Sequence, residues 1–237
     1  MIYKIYIANM SYKLYFINYK DDARKNRMIN RFNKIGIHFN IVNGVGREDE
    51  RVAYYEKMTG HIGVATGMFA HLDIMKKFIE DGNDKDGPFY CIACEDDIYI
   101  RKTFKEDIEK VIKDFDYMKL DILLLGYLLN RKIHHDIDFP SMSYTYHHYN
   151  DDLWGAQMYM VSRKHAKYFL EKYILEWAIN NKDKNFNSDW VVTKDGFRAL
   201  IWPMLAVEEG ENKSGHYGQI NFHRDCSIVN YDPDLYY

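Results

Sequence analysis

The 237-residue sequence predicts a three-layer α/β domain on a mostly parallel central sheet. Three observations carry this expectation. Apolar runs of strand length alternate with stretches of helical spacing along the chain. The first strand–helix–strand set needs a crossover connection, which makes its two strands parallel neighbours. No repeat, low-complexity tract or Pro/Gly/Ser-rich linker interrupts the chain, so one continuous domain over residues 1–237 is expected.

The elements follow in order. Tyr3 to Ile7 reads as an added edge strand, and Leu14-Tyr15-Phe16-Ile17-Asn18 as a buried one. Lys20 to Lys34 places Ala23, Met28, Ile29, Phe32 and Ile35 at near-helical spacing, and Gly36 supplies the left-handed stop. Ile37 to Val42 is the second strand, closed by the Asn43-Gly44 turn signal. Gly67 to Asp81 carries Met68, His71, Leu72, Met75, Phe78 and Ile79 on one helical face. A strand from Phe89 that ends on Glu95-Asp96-Asp97 follows, then an amphipathic helix from Phe104 to Phe115. Asp121 to Tyr127 is apolar without alternation, the mark of a strand covered on both faces. Asn130 to Tyr149 reads as irregular and rich in His, Tyr and Asp. Trp154 to Ser162 resumes as a strand and Arg163 to Tyr173 as a helix. Ser188 reads as the cap of a further helix, and Leu200 to Pro203 as a last strand before a polar tail.

Composition narrows the function. The formal charge is −3 with no Lys/Arg-rich face, which argues against nucleic acid or an anionic membrane as the main partner. The N-terminus has neither the apolar core nor the small-residue cleavage site of a signal peptide. The longest strongly apolar run, Ile122 to Leu129, is far short of the roughly 20 residues that span a bilayer. Three cysteines, an odd number, argue against a disulfide framework. Cys91 and Cys94 read as two buried thiols within a strand, because no second Cys/His pair with zinc spacing accompanies them. A reducing, cytoplasmic compartment is the expectation.

The chemistry concentrates in Cys94-Glu95-Asp96-Asp97, where an apolar strand ends on three carboxylates. Burying one unpaired carboxylate is costly, so three together must reach water or meet a cation. Strand alternation would send Glu95 and Asp97 to one side and Asp96 to the other. Two such carboxylates suit a hard divalent ion that keeps coordination positions open for phosphate oxygens. Ligands of open α/β sheets gather at the carboxyl ends of the strands, where this triplet lies.

Several motifs, taken in order, resemble glycosyltransferase family 25, which holds lipopolysaccharide sugar transferases and collagen galactosyltransferases. They are Phe16-Ile17-Asn18; Arg24 and Arg27; Gly36-Ile37; Asn43-Gly44; Gly67 to Leu72, with Ala70 where the family has Ser; Glu95-Asp96-Asp97; Trp154-Gly155-Ala156-Gln157-Met158-Tyr159 before Ser162-Arg163; Ser188-Asp189-Trp190; and Trp202-Pro203. The resemblance implies a GT-A type, Rossmann-like fold that binds a nucleotide sugar through a divalent ion. Residues 1–127 would form the nucleotide-sugar half, and residues 128–237 the acceptor half and tail.

It also implies roles at the matching positions. Asp97 would hold Mn²⁺ or Mg²⁺ with support from Glu95, and a C-terminal His would complete the set. His216, flanked by glycines, is preferred to His223. Asn18, Arg24, Glu95, Asp96, Gly155 and Lys213 would contact the nucleotide sugar, Gly155 by letting the backbone approach it. Asp189 would be the catalytic base, with Asp152 and Asp151 as rivals. Trp154 would stack on a sugar ring or serve as core. His71 reads as a packed helix residue, Arg27 as a solvated helix charge, and His134-His135 and His147-His148 as a polar acceptor loop. The expected reaction moves a hexose from UDP-galactose or UDP-glucose to a hydroxyl of a glycan or glycoprotein, with inversion. The rival readings are a non-catalytic nucleotide-sugar or glycan-binding module and a metal-dependent phosphohydrolase. Transfer is favoured because the resemblance extends to both flanks of the triplet.

Overall fold

A computed structural model describes residues 11–63, 65–133, 144–184, 186–210 and 217–237. The segment Tyr3 to Ile7 therefore lies outside the described residues. The chain opens with β1 (Tyr12–Asn18), α1 (Asp22–Ile35) and β2 (Asn40–Asn43). Asp21 caps α1 by accepting from the Arg24 N–H, and Gly36 ends it at φ 65°, a left-handed conformation that glycine adopts without strain. Next come α2 (Glu50–Thr59), α3 (Ala65–Glu80), β3 (Tyr90–Cys94), β4 (Ile98–Ile100) and α4 (Phe104–Met118). The second half runs β5 (Ile122–Leu128), β6 (Thr145–His147), β7 (Trp154–Ser162), α5 (Arg163–Lys172), α6 (Leu175–Asn180), α7 (Ser188–Val191), β8 (Arg198–Trp202), β9 (Ala206–Glu208) and α8 (Tyr217–Asn230).

Seven strands form one sheet in the order β2-β1-β3-β7-β5-β8-β6, and β4 pairs with β9 in a small second sheet. Strands β2, β1 and β3 are mutually parallel, as are β5 and β8. Strand β7 runs antiparallel to both β3 and β5, and β6 antiparallel to β8, so the sheet is mixed.

Strand alternation divides the interior in two. Tyr15, Cys91, Ala93, Ile122, Leu124 and Tyr159 pack with residues of α2, α3 and α5–α7 on one face. Leu14, Phe16, Ile92, Cys94, Leu123, Leu125, Met158 and Met160 pack with Met28 and Phe32 of α1 and Phe104, Ile108 and Phe115 of α4 on the other. The three layers expected from the sequence are therefore present. All three cysteines are free and buried, and burial pushes the Cys226 thiol up to about 12.

The structure corrects several local expectations. Strand β3 ends at Cys94, where the apolar run meets the acid triplet as expected, but a further strand, β4, resumes at Ile98 after the triplet's turn. Asn187, not Ser188, caps α7, its side-chain oxygen accepting from the Asp189 N–H at 2.8 Å. The stretch from Asn130 to Tyr149 contains β6, and the polar tail contains β9 and α8. Helices α2 and α6 lie where no element was expected.

Candidate active site

The carboxyl end of β3 delivers the acid turn to the rim of the main sheet. Its backbone is fixed on both sides. The Glu95 N–H donates to the Gln157 carbonyl of β7 at 3.0 Å, and the Glu209 N–H donates to the Asp97 carbonyl at 2.7 Å. Because the triplet turns, the alternation expected of a strand does not hold. Arg24 reaches both Asp96 (3.3 Å) and Asp97 (3.1 Å), while Glu95 faces the other way toward His71, with 3.8 Å between Oε1 and Nε2.

Helix α1 aims arginines at this turn, since residues three and four apart share a helical face. Arg24, expected beside a nucleotide, holds Asp96 and Asp97 and lines the adjoining cavity. Arg27, expected to be solvated, donates to Glu209 from Nε at 3.3 Å and Nη2 at 2.9 Å. Arg31 donates to the same carboxylate and to the Ile98 carbonyl. Asn18 donates to Asp96 at 2.5 Å and to the Asp21 carbonyl at 2.8 Å, so its amide hydrogens orient the acid turn.

Asp97 is the least compensated member. Its side chain is 15% exposed, and its Oδ1 is buried without a hydrogen-bond partner among the described residues. Burial, reinforced by the charges of Glu95 and Glu208, pushes Asp97 up to about 8, against the lowering effect of Arg24. Glu95 is raised too, by desolvation and by the charges of Asp189 and Glu208, although 37% of its side chain still reaches solvent. Carboxylates held this close without matching cations favour an added positive charge.

Behind Glu95 lies His71, the packed and hydrogen-bonded helix residue expected from the sequence. His71 on α3 shares a hydrogen bond from Nδ1 with the Tyr159 hydroxyl at 3.0 Å, and its Nε2 has no hydrogen-bond partner among the described residues. Desolvation lowers it to about 4, so the imidazole is neutral at ordinary pH. The first turn of α7 brings Asp189 to the same place. Burial raises that carboxylate, while His71, a hydrogen bond from the Ala156 N–H, Lys194 and His223 work to lower it.

Strand β9 and α8 close the far side. Glu208 accepts from His223 Nδ1 at 2.7 and 2.8 Å, and this hydrogen bond raises the imidazole above its usual value, with the charges of Asp97 and Glu95 adding to the effect. The signal for Glu208 and Glu209 was present: Leu205 to Glu209 repeats the pattern of an apolar run ending on carboxylates. His216 and Lys213 lie outside the described residues, as do His134 and His135.

Two cavities open at this rim. One, of about 530 Å³, is lined by Tyr19, Arg24, Gly44, Gly67, Ala70, His71 and the acid triplet, and lies at the ends of β1, β2 and β3. The other, of about 650 Å³, is lined by residues of β5–β8 and α8, among them Asp152, Trp154 and Phe222. Trp154 is 39% exposed, with the Trp190 ring edge-on at 4.8 Å, so it is a wall residue of this cavity and not core. Gly155, at φ 112°, does not free space for a ligand. A side chain there would meet the Gln157 side chain and the Leu128 backbone nitrogen, so the glycine serves the packing of β7 against β5. Asp152 is exposed on the second cavity, and Asp151 pairs with Arg198 at 2.5 Å.

The acid turn could hold an oxygen-seeking cation: the buried orphan oxygen of Asp97 is the kind of ligand such an ion takes. Among the described residues, however, no three His, Cys, Asp or Glu side chains form a ready cage. Cys91 and Cys94 stay outside the site as buried thiols.

A seven-strand mixed sheet flanked by helices, with a carboxylate turn and two cavities at its rim, fits a GT-A-like sugar transferase. The family model for glycosyltransferase family 25 (LPS biosynthesis protein) matches residues 11–185, and the chain belongs to that family. Membership makes it a transferase that takes a sugar from a nucleotide-sugar donor to an acceptor. No curated protein matches the chain. No helix among the described residues is long and apolar enough to cross a membrane.

Proposed function

We propose that the chain transfers a hexose from a UDP-sugar to a hydroxyl of a glycan or glycoprotein with inversion, and that Asp97 and Glu95 hold a divalent cation, Mn²⁺ or Mg²⁺, for the donor diphosphate. The observation that carries this reading is the buried, unpartnered Oδ1 of Asp97 at the wall of the 530 Å³ cavity. That volume falls in the range of about 300–1,000 Å³ usual for ligand cavities. A cation bound there would neutralise charge on the departing diphosphate.

The chain's own residues perform the rest. Tyr19, exposed at the mouth of the cavity, offers a ring face to the base of the nucleotide. Arg24 lies beside the acid turn, where its guanidinium can turn from Asp97 to a phosphate oxygen. The acceptor enters from the cavity walled by Trp154, on the other side of the carboxylates. Its hydroxyl attacks the anomeric carbon opposite the phosphate oxygen. The new carbon–oxygen bond forms as the old one breaks, and the bonding pair leaves on the diphosphate.

Asp189 takes the hydroxyl proton. Burial raises its proton affinity, as a base near neutral pH requires, while a hydrogen bond from the Ala156 N–H holds it in place. Asp152, exposed on the acceptor cavity, is the rival base; it lacks that enclosure. Of the two C-terminal histidines, His223 has the supporting geometry for a role at the ion, through Glu208 and its proximity to Asp97 and Glu95.

A UDP-release assay over a panel of UDP-sugars, with Mn²⁺, Mg²⁺ or EDTA, tests the reading. Turnover that needs the metal and is abolished by Asp97→Asn supports it. Full turnover in EDTA would remove the cation from the mechanism. Free sugar released as fast without acceptor as with it would indicate hydrolysis in place of transfer.

A further inference from the structure

The acceptor cavity has a charge pattern that sugar transfer as such does not require. It shares the sheet rim with the acid turn, whose surroundings are crowded with negative charge. Its lining nevertheless carries two adjacent cations, Arg131 and Lys132, just beyond the Leu128 end of β5. Both are exposed, and neither forms an ion pair or hydrogen bond with any described residue.

Other cations near the rim are neutralised. Arg24 is held by Asp96 and Asp97, Arg27 and Arg31 by Glu209, and Arg198 by Asp151. Among the described residues, Asp152 is the one carboxylate on the wall of this cavity, against two cations and the imidazoles of His147 and His148. The lining is also aromatic, with Trp154 and Phe222, which suits the apolar face of a sugar ring.

We infer that the acceptor is an anionic glycan, bearing a carboxylate or a phosphate on the sugar, and that Arg131 and Lys132 recognise that group while Trp154 carries the ring. The inference rests on the transferase reading, since it assigns this cavity to the acceptor. Guanidinium and ammonium groups with free N–H donors are the natural partners of both anions, and hydrogen bonds to charged groups are the stronger kind. The anion also offsets repulsion that a neutral acceptor would leave between the two cations. A neutral sugar would use the ring wall and leave Arg131 and Lys132 idle.

The test is a printed glycan array holding neutral oligosaccharides, uronic-acid oligosaccharides and sugar phosphates, probed with labelled protein in UDP and Mn²⁺. The expected result is retention of anionic glycans, lost at least tenfold in the Arg131→Ala/Lys132→Ala double variant and likewise in 0.5 M NaCl. A remote pair with the same charge change, Lys85→Ala/Lys182→Ala, should bind as the parent does. Whether uronic acids or phosphates are retained separates the two sources of the anion. Best retention of neutral glycans, unchanged binding by the double variant, or no retention of any glycan would overturn the inference. Thermal shift with UDP is measured alongside. A protein that UDP stabilises but that retains neutral glycans refutes only the anionic acceptor, whereas one that UDP does not stabilise refutes the UDP-sugar reading beneath it.

Discussion

At the scale of single residues, Asp97 states the tension in the site most clearly. A buried carboxylate with an orphan oxygen costs stability unless something positive joins it. In metal-free protein the folded-state value of Asp97 lies near 8 against an ordinary 3.8. Between those values the native state holds a proton that the unfolded chain has released, so this group's contribution to stability falls as pH rises from about 4 to about 8. Asp97→Asn removes that dependence. In EDTA the variant should melt with the parent near pH 4 and above it at pH 8, read by thermal denaturation across a buffer series. The same change should lower turnover by about 10²–10³-fold, as removal of a group that stabilises developing charge does. Asp189→Asn should lower kcat by about 10²–10⁴-fold, the usual contribution of a general base, while leaving stabilisation by UDP intact. Asp152→Asn should change kcat less than tenfold in the same assay; a larger loss would hand the role of base to Asp152.

At the scale of elements, α1 and β9 act together as the frame of the acid turn. Arg27 and Arg31 converge on Glu209, whose side chain is 3% exposed, and the Glu209 N–H in turn holds the Asp97 carbonyl. Removing one partner from a buried ion pair leaves the other charge uncompensated, a loss of about 3 kcal/mol. Glu209→Gln should therefore lower the urea midpoint by the equivalent of about that amount. Equal stability in the variant would show that solvent reaches the arginines well enough to replace the carboxylate. This frame also marks the limit of what the sequence discloses. Helix α1 was legible because Met28, Phe32 and Ile35 repeat at helical spacing ahead of a Gly stop. Helix α8 was not, since it buries only Cys226 and Ser227 and so carries no apolar stripe. Strand β9 is three residues long, too short for periodicity to register. The acid triplet was legible as a site because carboxylates ending an apolar run conflict with burial. Its partners Arg24, Asn18 and His71 were visible only as residue types, because the turn after Cys94 decides which of them each acid meets.

At the scale of the whole molecule, the order of strands divides the labour. The parallel strands β2, β1 and β3 end at one cavity, and β7, antiparallel to β3 and β5, carries Trp154 to the other. The alternation of elements announced an α/β fold because each signal is local. The second cavity was not announced, since Leu128, His147, Trp154, Leu200 and Phe222 meet only through long-range pairing. The proposed donor and acceptor cavities have no lining residue in common among the described residues, so a change in one should leave binding in the other untouched. Trp154 tests this separation because it is exposed to the acceptor cavity and lies outside the lining of the donor cavity. Truncating an aromatic wall that contacts a ligand typically costs more than about 1 kcal/mol, or more than roughly fivefold in affinity. Trp154→Ala should raise the acceptor KM by about that factor or more, while the melting-temperature shift produced by UDP and Mn²⁺ stays within error of the parent's. A variant that lost the UDP shift as well would show that the two cavities are coupled through β7. An unchanged acceptor KM would place the acceptor elsewhere on the rim.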